Sequence, residues 1–211
     1  MTNQGHTHVI DLYTAPTANG LRASLAMAES GLAYRLHKLD PDKDTKSAEF
    51  LALNPAGQVP VLVDPVGPGG GRLVVAQSGA IVLYLAEKTG RFVPQDARRR
   101  VAAQQWFMVV TTDLQAANLA LFLLEHEAPE RPPALVEFFR QRLLRFYASI
   151  DQRLAGRDYL ADEISIADQV LYPNYFRRKA WLQQDAAQLK NLHRWAAQMA
   201  ARPGVAEGVS I

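Results

Sequence analysis

Hydrophobic and polar residues follow two different periods along this chain, and the change between them falls near its middle. An apolar-rich run over Val9–Tyr13 reads as a buried strand. It enters a turn of small and polar residues: Thr14, Pro16, Thr17, Asn19 and Gly20. A helix over Gly20–Ser30 follows, with Leu21, Leu25, Ala28 and Leu32 at offsets 0, 4, 7 and 11 and Gly31 as its stop. Tyr34–Leu39 predicts a second strand, so a right-handed parallel crossover is implied. Asp40–Thr45 is a polar turn, and Ser47–Leu53 a short helix ending before Asn54-Pro55. Val59–Val63 is an apolar strand with proline near its head; Pro65–Gly71 predicts a hairpin loop and Arg72–Ala76 the return strand. Gln77-Ser78-Gly79 opens a helix to about Lys88, with Ile81, Val82, Tyr84 and Leu85 as its apolar face.

The order βαβ followed by ββα predicts a four-stranded sheet flanked by helices, the thioredoxin-like arrangement, over residues 1–90. Arg91–Asp96 reads as a linker. Beyond it the period becomes helical throughout. One long helix is predicted over Ala97–Glu127 and broken by Pro129–Pro133, and a second over Leu135–Leu154. A third covers Ser165–Tyr172 and stops near Pro173; a fourth covers Ala186–Ala201 and stops at Pro203-Gly204. No strand pattern occurs there, so residues 97–211 predict an all-helical second domain.

Composition narrows the chemistry. With 211 residues and 48% hydrophobic content the chain can bury one large core or two small ones. No unbroken apolar run is long enough to cross a bilayer. Met1–His8 is polar, so no secretory signal or membrane partner is expected and the location is expected to be cytoplasmic. A formal net charge of +2 gives no reason to invoke nucleic acid. His6 and His8 share a metal pair's spacing, but a polar chain end accounts for them, and no metal site is predicted. The absence of cysteine excludes disulfides, thiolate metal sites and a cysteine nucleophile together. Any thiol chemistry must use a thiol that arrives with a ligand.

Four stretches carry polar groups where chemistry could occur. The turn before Gly20 ends at a helix N-terminus, where N–H groups and the helix dipole favour negative charge. Thr17 and Asn19 can cap that helix or donate to a bound anion. Val59-Pro60 fits either a trans proline at an edge-strand start or a cis bond that leaves the Val59 backbone free to pair with an extended peptide. Gln77-Ser78 opens a helix, where Ser78 can cap or hold a ligand carboxylate and Gln77 can add a donor. Ser165-Ile-Ala-Asp168 matches a capping box and reads as structural.

Order and spacing together are more specific than any one of these. The stretches Leu12–Gly20, Leu53-Asn-Pro-Ala-Gly-Gln-Val-Pro60, Gln77-Ser-Gly-Ala-Ile81 with Tyr84-Leu85, and Tyr159-Leu160 with Ser165-Ile-Ala-Asp168 resemble the cytosolic glutathione transferases. The resemblance spans nearly the whole chain. Tyr13-Thr-Ala-Pro-Thr-Ala-Asn-Gly20 is most similar to the nu class, which is known for glutathione-dependent disulfide reduction. The resemblance implies glutathione as cosubstrate. It implies that the Val59 backbone pairs with the cysteinyl residue ahead of a cis Pro60. Gln77 and Ser78 then receive the γ-glutamyl end, Asn54 and Gln58 lie near the glycyl end, and Thr17 and Asn19 contact the sulfur. Tyr13 and Thr14 are rival donors, because other classes use a tyrosine or a serine there.

The chain departs from the family pattern at Gln77, usually acidic, and at Gln58, often lysine. Both departures concern affinity more than fold. An electrophilic or disulfide small molecule is the implied second substrate. It is expected between the domains, with Phe107, Thr111, Leu114 and Asn118 among its walls, although core packing also explains Phe107 and Leu114. A homodimer is implied by the family. The alternatives are a glutathione-binding regulatory or structural protein with little catalysis, favoured by Gln77 and Gln58, and a glutathione-dependent isomerase, which the motif around Thr17 does not suggest.

Overall fold

The computed structural model describes residues 8–211. His6 lies outside the described residues, and with it the His6–His8 pair. Among the described residues no cluster of three or more His, Asp or Glu side chains could hold a metal ion. Two compact units are present, one of the residues up to Gly90 together with Arg202–Ile211, the other of Arg91–Ala201.

In the first unit, β1 (Ile10–Thr14), α1 (Ala18–Ser30) and β2 (Tyr34–Lys38) form the parallel crossover. A short α2 (Ala48–Leu53) follows, then β3 (Val61–Asp64), β4 (Leu73–Ala76) and α3 (Ser78–Thr89). The sheet order is β2-β1-β3-β4, with β3 antiparallel to both neighbours. Register explains the layers. Tyr13 pairs with Val61, and Val61 with Ala76, so these side chains share one face with Val63 and Val74. There they pack around Phe50 of α2. Leu12, Leu62 and Val75 alternate to the opposite face, where α1 and α3 lie.

Gly31 and Gly90 close α1 and α3 in the left-handed conformation that glycine adopts without strain. The buried Asp64 ties the end of β3 to α3, accepting from Lys88 Nζ at 2.8 Å and from the Tyr84 hydroxyl. Burial opposes its ionisation, but hydrogen bonds from Lys88, Tyr84 and the Val66 N–H outweigh it and hold the carboxyl below its ordinary value.

Two features of this unit differ from expectation. Nearly every residue of α1 is buried, Arg22 and Glu29 included, so the helix is not amphipathic. The cause is a third covering element. Residues 202–211 contain α9 (Pro203–Gly208), which packs along α1 as α3 also does. By their hydropathy pattern these residues belong with the helical region, and Pro203 reads as a stop. Here Pro203 occupies the first turn of a helix, where its missing N–H costs nothing. A Cβ at Gly208 would overlap Leu25 Cα and come within 2.7 Å of Leu25 N, so only glycine permits this approach. Arg202 Nε and Nη2 both donate to Glu29 Oε2, at 3.0 and 2.6 Å, and the Tyr34 hydroxyl donates to Glu207 at 2.9 Å. Burial and that carboxylate push the Tyr34 phenol up to about 12.

The second unit is helical. α4 (Ala97–Met108), a π-helical turn (Val109–Leu114) and α5 (Gln115–His126) form one continuous rod. Its 30 residues include a window of mean hydropathy 1.6, so by length and composition alone it could cross a membrane. Counting unbroken apolar runs misses it. Ala103, Phe107, Val110, Leu114, Ala117 and Leu121 are buried, recurring every three to four residues as one stripe of a core helix. At the π turn, the Thr111 and Thr112 hydroxyls donate back to the carbonyls of Phe107 and Met108, each at 2.8 Å.

α6 (Pro133–Arg153), α7 (Ile166–Asp185) and α8 (Lys190–Ala200) complete the unit. Pro173 does not end α7, which runs twelve residues past it. Ten consecutive residues, Ile166–Tyr175, are buried and hold the helix through the lost hydrogen bond, while Asn174 Nδ2 donates to the Val170 carbonyl at 3.2 Å. Ala186 closes α7 through its N–H to Leu182 instead of opening the next helix. Asn118, which shows no core role in sequence, is buried in a polar chain: its Nδ2 reaches Asn174 at 3.4 Å and its Oδ1 accepts from Arg178 at 2.9 Å.

Candidate functional site

The ends of β1, β3 and β4 deliver three loops to one edge of the first unit. The β1–α1 loop arrives with its helix pressed against the strand it leaves. A Cβ at Gly20 would collide with the Ala15 carbonyl oxygen and sit 2.8 Å from Thr14 Oγ1. Glycine therefore lets the first turn of α1 lie directly on the end of β1. The Thr17 hydroxyl oxygen accepts from the Gly20 N–H at 3.0 Å, and Leu21 N–H donates to the Thr17 carbonyl at 2.8 Å. The remaining N–H groups of that turn have no partner inside the helix.

A second loop precedes β3. Asn54 Nδ2 donates to the Gln58 carbonyl at 2.7 Å and Asn54 Oδ1 accepts from the Ala56 N–H at 3.2 Å. The Asn54 side chain thus holds the loop together. Val59-Pro60 is cis, and the β3 ladder starts at Val61, leaving the Val59 backbone outside it. The third loop is the entry to α3. Gln77 has φ 76° and ψ 121°, a conformation that costs a non-glycine residue roughly 1–3 kcal/mol. Such outliers persist where the surroundings over-determine them. Ser78 does not cap α3, because the cap position belongs to Gln77 and no side chain bonds there. The Ser78 hydroxyl instead makes a long 3.5 Å hydrogen bond to Asn19 Oδ1, joining the starts of α3 and α1.

These loops border an open cleft lined by Asn19, Asn54, Gln58, Val59, Pro60, Gln77 and Ser78. Seven of the eight residues expected at the site are brought together. Thr17 is the eighth; it is exposed at the helix start and outside the lining, with its hydroxyl oxygen engaged by Gly20. A hydroxyl that accepts one bond still has its own proton to donate. The two rival donors sit elsewhere. Tyr13 stacks on His37 with ring centroids 4.3 Å apart and meets the edge of Phe50 at 6.3 Å, so it belongs to the packing around α2. Thr14 is fully buried, its Oγ1 accepting from Ser24 at 3.4 Å.

One residue escaped sequence reasoning. Arg22, only 2% exposed, donates from Nη1 to Asn19 Oδ1 at 3.1 Å. The signal was present, since Asn19 and Arg22 stand three apart on one helix and side chains at that spacing meet.

The model of the Glutathione S-transferase, N-terminal domain, matches residues 8–87. The disulfide-bond oxidoreductase YfcG of Escherichia coli K12 is 34% identical over 206 residues, covering 95% of this chain and 94% of that protein. The chain belongs to the glutathione S-transferase family. A second oxidoreductase of the same bacterium, YghU, is 29% identical and is covered over 74% of its length. Among solved structures of the family, a glutathione transferase from Pseudomonas putida with one glutathione disulfide bound per subunit superposes with a TM-score of 0.89. It is 32% identical, with 98% of this chain and 93% of that one covered. A transferase from Burkholderia graminis with two glutathione molecules bound per subunit gives 0.85 at 33% identity, with coverage of 97% and 89%.

Proposed function

We propose that this protein is a glutathione-dependent enzyme of the nu-class type, which makes the glutathione thiol acidic in the cleft and delivers the thiolate to a disulfide or an electrophile. The observation that supports it best is the arrangement of polar groups in the cleft and at the start of α1 beside it. The Val59 backbone lies free of the sheet beside cis Pro60, Ser78 stands at one helix start, and Asn19 and Thr17 stand at another. An extended tripeptide pairs with the Val59 backbone, places its γ-glutamyl end at Gln77 and Ser78 and its glycyl end toward Gln58, and turns its sulfur to the start of α1. Asn54 contributes by shaping the loop that presents Gln58 and Val59.

A free thiol ionises near pH 8.5, so about a few per cent is thiolate at pH 7. Lowering that value by about two units needs roughly 2.7 kcal/mol of differential stabilisation. Hydrogen bonds to a charged group contribute about 1.5–3 kcal/mol each, and a helix N-terminus adds to them, so Thr17, Asn19 and the first turn of α1 suffice. No general base is required. The thiolate attacks one sulfur of the disulfide, the sulfur–sulfur bond breaks, and the second sulfur leaves as a thiolate that takes up a proton. A second glutathione then resolves the mixed disulfide, yielding glutathione disulfide and the second thiol. With an electrophile, the same thiolate forms the carbon–sulfur bond directly. The protein acts as a cytoplasmic homodimer in this reading.

Ultraviolet titration of bound glutathione, with turnover of 2-hydroxyethyl disulfide and of an aryl halide, tests the proposal. The bound thiol is expected to ionise below about pH 7. Failure to turn over any disulfide removes the reductase reading. A bound thiol that ionises as in buffer removes thiolate activation altogether.

A further inference from the structure

Arg22 sits next to the site without lining it, and its bond to Asn19 decides which end of an amide faces outward. A guanidinium has donors only. The Asn19 atom 3.1 Å from Arg22 Nη1 must therefore be the oxygen, whatever an amide's near symmetry would otherwise permit. The long contact from the Ser78 hydroxyl engages the same oxygen. Nδ2 makes no hydrogen bond among the described residues, and Asn19 lines the cleft. Its two N–H groups are what the amide can offer a ligand there.

We infer that Arg22 is a positioning residue. It locks the Asn19 amide so that its NH₂ end, and not its carbonyl oxygen, meets the sulfur. The distinction matters for the sign of the effect. An N–H stabilises a thiolate, whereas an amide oxygen repels it and favours the thiol. Without Arg22 the amide can turn over, and part of the population presents oxygen to the sulfur. Arg22 is itself buried, and its rigid, planar fork suits the task better than the flexible ammonium of lysine. This inference rests on the reading that glutathione occupies the cleft.

The experiment is an ultraviolet titration of the bound glutathione thiol in the wild type, Asn19→Ala, Arg22→Met, Arg22→Lys and the double variant Asn19→Ala/Arg22→Met. Binding of S-methylglutathione, which has no acidic thiol, is measured alongside. Arg22→Met should raise the thiol pKa by about one unit, Arg22→Lys by less, and S-methylglutathione affinity should change by less than about twofold. The double variant should match Asn19→Ala alone. Additive shifts would mean that Arg22 acts through its own charge, and an equal loss of S-methylglutathione binding would mean that it only supports the fold; either result overturns the inference. Should Arg22→Met fail to fold, the wild type still decides. The side-chain amide ¹⁵N and proton signals of Asn19 must move with the thiol titration, and unmoved signals sink the idea. A wild type that binds glutathione without acidifying it defeats the functional reading itself, before any variant is compared.

Discussion

Two helix starts in this protein use similar residues and end in opposite states. At α7, Ser165 and Asp168 form a box with no exposed atoms. The Asp168 carboxylate accepts from the Ser165 N–H and hydroxyl at 3.0 and 3.1 Å, the Leu160 N–H at 3.2 Å and the Trp195 indole at 3.0 Å. At α1, Thr17 and Asn19 also spend side-chain oxygens on their surroundings, but the Asn19 NH₂ and the Thr17 hydroxyl proton are left over at the surface. Residue type does not separate a structural cap from a candidate site; the balance of donors and acceptors does. Where every polar atom is matched internally, nothing remains for a ligand. The start of α3 takes the idea further, since it has no side-chain cap at all.

Breaking the saturated start should have the largest effect. Asp168→Ala leaves the Leu160 and Ser165 N–H groups and the Trp195 indole without a carboxylate, and each buried orphan costs about 1–3 kcal/mol. A loss of roughly 3–5 kcal/mol in denaturant unfolding is expected. Any folded fraction should acidify bound glutathione as the wild type does. Gly20→Ala comes next. The added Cβ forces α1 off the end of β1, for a loss of about 1–3 kcal/mol, and here the thiol pKa should rise with the damage.

Acid and base treatments should separate two buried carboxylates. Asp64 is held below its unfolded value, so its contribution is full above about pH 4 and is lost as the pH falls through the depressed folded value. For Asp168, burial outweighs the four donors and pushes the carboxyl up to about 6, so its contribution is greatest below about pH 4 and declines as the pH rises to about 6. Unfolding measured from pH 3 to 7 in Asp64→Asn should lose the acid-side decline; in Asp168→Asn it should lose the decline between about pH 4 and 6. The smallest change in stability belongs to Thr17→Val, about 1 kcal/mol for a lost cap. Its kinetic effect should exceed that, with kcat/KM for disulfide reduction down about tenfold, and Thr17→Ser should restore both.

What was legible followed from how local the controlling chemistry is. Gly31 and Gly90 mark helix ends because the left-handed residue is needed at that position and nowhere else. The cleft residues could be gathered from motif spacing, since each stands at the end of a strand or start of a helix. Pro173 misled because its local preference to break a helix is overridden by burial of the ten residues around it, which no local pattern reveals. Pro203 misled for the opposite reason, because a proline that ends one helix is equally suited to begin the next. Arg22 looked like a charged residue on a helix face. Its burial follows from how the whole unit packs around α1, including α9 from some 180 positions away, and no local pattern reveals that. The bond between Ser78 and Asn19 likewise needs α3 and α1 in register, across 59 residues of chain.

The segment Arg202–Ile211 has a consequence for how the molecule is made. A ribosome delivers β1 and α1 before the helical unit, and α9 only after all of it. Until then the surface of α1 at Leu25 and Glu29 lacks its α9 and Arg202 partners. The first unit is therefore completed in two stages during synthesis, because its α1–α9 packing waits until Arg202–Ile211 has followed the whole helical unit off the ribosome.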